Sequence, residues 1–331
     1  LVPFGSIGLT LFALDLWLAT RHFSPATGSG IAAFLADMAS WRVIVDIVLL
    51  GVFGGFYTVP LYALIQARSE PSHRSRIIAT NNILNALFII VSALVAIALL
   101  RAGITIPELF LVVGILNGLV AAYIYTLVPE FLIRFLAWML IHSLYRVRDQ
   151  GLDNIPDEGP CVLVCNHVSY VDAMVIAACV RRPIRFVIDH QIFRIPFLSF
   201  IFRGMRAIPI APAKVDALLK DRAILEAQNA LAAGEVVGIF PEGRLTDSGE
   251  LSRFRPGVQQ IVAAVPAPVV PMALRGLWGS LFSRADPGRV LRRLRHALAP
   301  IDLVVAAPVT PAAATPEVLQ AIVGRLRGNA R

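Results

Sequence analysis

A histidine with an aspartate five residues downstream, in Asn166-His167-Val168-Ser169-Tyr170-Val171-Asp172, follows directly on the apolar run 161–165. An imidazole takes up a proton near neutral pH, which suits a general base. A carboxylate on its far ring nitrogen would fix the tautomer and stabilise the imidazolium. No serine or cysteine is placed as a protein nucleophile, so the proton would come from a hydroxyl of the substrate. A second block, Phe240-Pro241-Glu242-Gly243-Arg244, follows the apolar run 236–240. Gly243 permits a tight turn, and Arg244 offers a planar fork for a phosphate. Glu242 either holds that arginine or bonds a substrate hydroxyl. Each block alone has a plainer reading: a hydrogen-bonded histidine at a strand end, a helix capping box over Ser169–Asp172, an ion pair at a turn. Their joint occurrence at the ends of two strands favours a site.

The elements that would hold these blocks alternate. Strands are expected over 161–165, 184–189, 207–211, 236–240, 268–274 and 301–308. Helices are expected over 171–180, 191–203, 214–233, 257–265, 287–297 and 315–328. Leu218, Leu219, Ile224, Leu225 and Leu231 recur at helical spacing before Gly234. Such alternation predicts an α/β domain on a largely parallel sheet, where reactive groups gather at strand ends. Cys161 and Cys165 fall on one side of a strand as small hydrophobes. The three cysteines make no disulfide framework and fit a reducing setting, and no metal site is expected.

Ahead of this domain the chain changes character. Of the 331 residues, 57% are hydrophobic and 16% charged, with a mean hydropathy of +0.71. Residues 1–131 hold six basic and six acidic side chains, whereas residues 132–331 carry the other 24 against 16 and hence the whole net charge of +8. Four stretches, 2–20, 43–66, 77–100 and 108–128, are long and apolar enough to span a bilayer. Their polar interruptions include Asp15, Asp46 and Asn117, and intramembrane carboxylates are often functional. The arginine-rich loop 68–76 is expected on the cytoplasmic side, which returns the tail after 128 to that side too. Residues 130–148, with Arg134, Trp138, Tyr145, Arg146 and Arg148, suit a helix lying in the interface or an extension of the last span. The expected organisation is therefore a transmembrane bundle over 1–129 and a basic catalytic domain over 130–331. The basic half suits anionic lipid; nothing resembles a nucleic-acid module. The chain opens on Leu inside an apolar stretch and is expected to be the C-terminal part of a longer protein.

The series Asn166-His167-x4-Asp172, Phe240-Pro-Glu-Gly-Arg244 and Val270-Pro271 resembles the motifs of the glycerolipid acyltransferase family typified by 1-acylglycerol-3-phosphate acyltransferase. The resemblance covers about residues 130–331. It implies that His167 deprotonates a glycerol hydroxyl, which attacks the thioester of acyl-CoA or acyl carrier protein, while Asp172 orients the histidine. It implies that Glu242, Gly243 and Arg244 bind the acceptor's phosphate and that Pro271 helps shape the donor site. Asn166, Arg203 and Arg206 are further candidates for substrate contact. No cofactor is implied beyond the thioester co-substrate. At Ile208-Pro-Ile-Ala-Pro212 the family's second-block arginine is absent, a variant similar to the 2-acylglycerophosphoethanolamine acyltransferases. The Gly-rich second span (Gly51, Gly54, Gly55), Pro60 and the basic loop after it resemble the last helices of a major-facilitator transporter. Together these imply an integral protein of a bacterial inner membrane that reacylates a lysophospholipid. The alternative is a lysophospholipid transporter with a secondary acyltransferase domain.

Overall fold

The computed structural model describes all residues except 1, 23–29, 71, 128, 281, 285–297 and 330–331. Contacts divide the chain into two compact units, Leu1–Leu132 and Ile133–Arg331. The first holds helices α1 (Val2–Thr20), α2 (Ile31–Ala36), α3 (Met38–Arg68), α4 (Arg74–Arg101) and α5 (Ile106–Leu127). Four of them, α1, α3, α4 and α5, are long and apolar enough to cross a membrane. Helix α1 packs against α3 and α5. The approach to α3 is close enough that a Cβ on Gly5 would lie 2.5 Å from the Tyr57 nitrogen. Towards α5, Asn117 Nδ2 donates to Ser6 O (3.0 Å) and Thr10 Oγ1 (2.8 Å). Asp15 is ion-paired with Arg42, and Asp46 is buried with one oxygen lacking a partner.

Helix α6 (Pro129–Leu144) leads into β1 (Tyr145–Gln150). The expected interfacial helix therefore stops at Leu144, and Tyr145, Arg146 and Arg148 lie on a strand. Alternation of Tyr145 and Val147 with the arginines gives β1 one inward and one outward face. Arg134 is spent inside the fold: Nη2 donates to Val180 O (2.8 Å) and Arg181 O (2.9 Å) rather than reaching out for headgroup phosphate.

Next come β2 (Cys161–Cys165), α7 (Asp172–Cys179), β3 (Ile184–Asp189), α8 (Pro196–Gly204), β4 (Ile208–Ile210) and α9 (Ala217–Ala232). They are followed by β5 (Val236–Ile239), α10 (Gly257–Ala264), β6 (Val269–Arg275), β7 (Ala299–Val305) and α11 (Pro316–Arg327). The helix expected over 287–297 lies outside the described residues. The strands form one sheet in the order β1-β7-β6-β2-β5-β3-β4, parallel throughout except for β6 against β7. The run Cys-Val-Leu-Val-Cys in β2 is buried on both faces, as a central parallel strand requires. Cys161, Leu163 and Cys165 face one core with α7. Val162 and Val164 face the other, with α9, α10 and α11. Burial raises the thiols, Cys161 to about 11 and Cys179 to about 12, so they pack as neutral hydrophobes.

Candidate active site

Strands β2 and β5 are parallel neighbours, with Val164 beside Ile239. Their C-terminal ends thus deliver His167 and Phe240–Arg244 to one edge of the sheet. Asn166 closes β2 against β6: its Nδ2 donates to Leu274 O (3.0 Å) and its Oδ1 accepts from Leu274 N (2.9 Å). It is buried, and its amide is used on the backbone; the expected substrate contact at Asn166 is replaced by a staple between strands. Beyond it, buried Val168 and Val171 anchor the loop in the core.

Asp172 opens α7, where the helix N-terminus favours a carboxylate. Its Oδ2 accepts from Val168 N (2.6 Å), Ser169 N (2.9 Å) and His167 Nδ1 (2.8 Å). The capping reading and the catalytic-partner reading of Asp172 thus describe one carboxylate that ties the loop and the ring at once. An ionised carboxylate only accepts, so Nδ1 carries the proton and the lone pair of the imidazole sits on Nε2. The ring stacks on Phe240, centroids 4.3 Å apart and planes 18° apart, and Phe240 in turn stacks on Phe186. The histidine side chain keeps 23% of its surface exposed, against none for Asp172. A base whose partner is buried and whose far nitrogen can meet a ligand is the arrangement proton abstraction needs.

Glu242 departs from expectation. It is 2% exposed, and both oxygens are committed: Oε1 accepts from His167 N (2.8 Å) and Oε2 from Ser252 N (2.7 Å). Burial pushes its carboxyl above the ordinary range, against the pull of those two N–H groups. The expected phosphate ligand is therefore a brace under the histidine, and a carboxylate would in any case repel an anion. His167 O accepts from Thr246 N (3.0 Å), so the main chain at His167 is held on both sides by segment 242–246.

Gly243 takes φ +64, a conformation that suits glycine, and its N–H bonds Phe240 O (3.0 Å). The Arg255 guanidinium lies over the place where a Cβ would be, 3.0 Å away. Arg255 N bonds Pro241 O (2.9 Å), holding the two segments together. Arg244 and Arg255 are both exposed beside this turn. A third loop, after β6, closes over the histidine loop: Tyr170 N bonds Phe282 O (3.2 Å). Arg284 reaches Asp247 (2.8 Å) and the Tyr170 hydroxyl (3.2 Å).

Two expected contacts lie elsewhere. Arg206 precedes β4, and its Nη1 pairs with Glu235 (2.6 Å), which precedes β5. Because those strands run parallel to β2, Arg206 sits at the end of the sheet opposite His167. Arg203, whose carbonyl accepts from Arg206 N (2.9 Å), belongs to that same end. Pro271 is buried within β6 beside Val164, and alternation along the strand sets it on the sheet face away from α7. Phe240, Thr246 and Ser252 were missed as site-forming residues. Phe240 was legible only as the aromatic that opens the Pro-Glu-Gly block. The others act through backbone groups or meet the block from afar.

Residues 146–275 match the family model described as Acyltransferase. The chain is 29% identical over 148 residues to the chloroplastic 1-acyl-sn-glycerol-3-phosphate acyltransferase of Brassica napus, covering 44% of this chain and 42% of that protein. It is 27% identical over 141 residues to the 1-acyl-sn-glycerol-3-phosphate acyltransferase of Pseudomonas aeruginosa, covering 42% and 54%. The chain thus spans about half the length, or less, of these curated relatives. Among solved structures, the 1-acyl-sn-glycerophosphate acyltransferase of Thermotoga maritima superposes with a TM-score of 0.47 and 22% identity, over 60% of this chain and 76% of that one. Between residues 146 and 275, then, this chain is similar to acyltransferase domains.

Proposed function

We propose that the chain transfers a fatty acyl group from an acyl thioester, carried by CoA or acyl carrier protein, to the free glycerol hydroxyl of a lysophospholipid. The proposed setting is the cytoplasmic face of a bacterial inner membrane, with the four long apolar helices as anchor. One observation carries the reading: the partly exposed His167 side chain has Nδ1 bonded at 2.8 Å to a fully buried Asp172, which leaves Nε2 as the nitrogen free to act as base. Nε2 takes the hydroxyl proton as the oxygen attacks the thioester carbonyl. The tetrahedral intermediate collapses with cleavage of the C–S bond, and the departing thiolate recovers the proton from the imidazolium. Asp172 stabilises that imidazolium between the two transfers. The thioester is already activated and the imidazole carries the proton from the alcohol to the thiolate, so the scheme calls for no cofactor. Arg244, exposed on the turn that Gly243 permits, supplies the charge and the bidentate geometry for the acceptor's phosphate. The two relatives described above are named for a phosphate-bearing acylglycerol acceptor, in keeping with that assignment. A lysophospholipid transporter with a secondary transfer domain is the second reading. It rests on Asp46, buried with one oxygen lacking a partner, because Asp15 is occupied by Arg42.

The test is transfer of a labelled acyl group from both thioesters to a panel of lysolipids in membranes holding the full chain. His167→Ala is expected to lower turnover by about 10²–10⁴-fold at normal protein level. Turnover equal to the wild type's would refute the mechanism. Arg244→Ala is expected to raise the acceptor KM and leave the donor KM alone.

A further inference from the structure

Arg284 reaches the histidine loop from a different strand than Arg244 does. In the sheet β2 lies between β6 and β5, and both run parallel to it, so the loops after β6 and β5 flank the one that carries His167. The loop after β6 is fastened to the histidine loop by main chain. Ser169 and Ser283 form an antiparallel bridge, Tyr170 N bonds Phe282 O (3.2 Å), and the hydroxyl of buried Ser283 accepts from Gly279 N (3.0 Å). The same loop packs on the segment that follows Thr246: a Cβ on Gly249 would lie 2.8 Å from the Trp278 ring. Arg284, one residue beyond the bridge, is therefore fixed at its base. Its head is held as well. Nε donates to the Tyr170 hydroxyl (3.2 Å), Nη1 pairs with Asp247 (2.8 Å), and the guanidinium carbon lies 5.9 Å from the Tyr170 ring centroid. Arg284 nonetheless keeps 45% of its side chain exposed and Asp247 64%, and an ion pair so exposed adds little to stability. The main-chain bonds and the tryptophan contact already join these loops without it. What the arrangement provides is a guanidinium set in place in advance, whose Nη2 takes part in neither bond, ready to grip an oxyanion with little loss of freedom.

Resting on the acyl-transfer reading, we propose that Arg284 binds the acyl donor by gripping the phosphate that joins the pantetheine arm to its carrier, a group common to acyl-CoA and acyl carrier protein. The chemistry of the two substrates separates the two arginines. In the acceptor the phosphate lies only a few bonds from the reacting alcohol. That suits Arg244, two residues from the glutamate that bonds His167 N. In the donor the whole arm separates phosphate from thioester. That suits a cation at the outer end of the Tyr170 side chain, which is 54% exposed beyond the catalytic loop. Two anions held from two strands leave the thioester carbonyl to meet the alcohol at His167. Asp247 then has two effects: it orients the guanidinium before the donor arrives, and it competes with the phosphate afterwards.

The experiment measures initial rates with the full chain in membranes and three donors: acyl-CoA, acyl carrier protein loaded with the same chain, and acyl-pantetheine, whose arm ends without a phosphate. Arg284→Ala is expected to raise the KM for acyl-CoA and for the loaded carrier protein by about tenfold or more, with the acceptor KM within about twofold. Acyl-pantetheine has no phosphate to lose, so its KM should be the same in variant and wild type. Arg284→Lys keeps the charge without the fork; it should fall in between, and it serves on its own if the alanine variant does not accumulate. Asp247→Asn removes the competing charge and should lower the KM of the two phosphate-bearing donors about two- to threefold. An ion pair that only staples the loops would instead make Arg284→Ala and Asp247→Asn fail alike, with all three donors. That result overturns the proposal. So does an unchanged donor KM in Arg284→Ala, a loss confined to one carrier, or a rise in the acceptor KM alone. If the wild type transfers and His167→Ala does not, those results sink only this inference; if the wild type acylates no lysolipid from any donor, the transfer reading falls and takes this with it.

Discussion

Glu242 separates two accounts of the Glu-Gly-Arg block, and Glu242→Gln decides between them. The glutamate accepts two backbone N–H groups, from His167 and Ser252, at 2.8 and 2.7 Å. Bonds to a charged acceptor contribute about 1.5–3 kcal/mol each. Glutamine keeps one of them as a neutral bond and turns an N–H toward the other donor. The gross loss is about 2–4 kcal/mol, partly offset because the amide carries no charge to desolvate, so a net loss of about 2 kcal/mol is expected. It falls on the loop that carries the base. A displacement of about 1 Å at a reacting group costs about 10²-fold in turnover. Steady-state rates with acceptor and donor varied in turn should show kcat down about 10²-fold and both KM values within about threefold. A raised acceptor KM with kcat preserved would mean that Glu242 touches substrate, and the brace would be refuted. A second measurement follows from the direction of its titration. With the carboxyl raised in the folded state, its contribution to stability is full below the ordinary carboxylate value and is lost as pH rises through the raised one. Melting curves across that window should show the wild type losing ground to Glu242→Gln as pH increases.

Asp172→Asn keeps an oxygen for the Val168 and Ser169 N–H groups and removes only the charge. It should lower kcat by about 10³–10⁴-fold, with KM values little changed, in the same rate assay. Gly243→Ala forces a side chain into a left-handed conformation, at a cost of about 1–2 kcal/mol, and presses on the Arg255 guanidinium. Melting should fall by a few degrees, and the acceptor KM should rise because Arg244 is displaced with the turn.

Much of the catalytic half was legible because its strands are short apolar runs bounded by turn residues. Strand β1 was missed for the opposite reason. Tyr-Arg-Val-Arg-Asp-Gln exposes most of its side chains and follows an apolar helix without a break, so its arginines read as an interfacial fringe. The His-x4-Asp spacing survives in three dimensions because Asp172 stands on the first turn of α7, whose N-terminus faces back toward β2. Glu242 and Asn166 were misread for a common reason. A polar side chain beside a catalytic histidine looks like a ligand in one dimension, and only burial and the partners of each oxygen show that it serves the backbone. Arg206 failed by geometry, since residues before a parallel strand emerge at the end opposite those that follow one.

The clamping of His167 has a further consequence. Its amide nitrogen is gripped by Glu242 and its carbonyl by Thr246, residues on either side of Arg244. The proton acceptor and the proposed anion grip therefore ride on one rigid piece and cannot drift apart when a lipid enters or leaves. Such a piece works as a ruler. It admits acceptors in which the reacting alcohol lies a set distance from the negative headgroup, and it penalises longer or shorter spacings whatever the acyl tail.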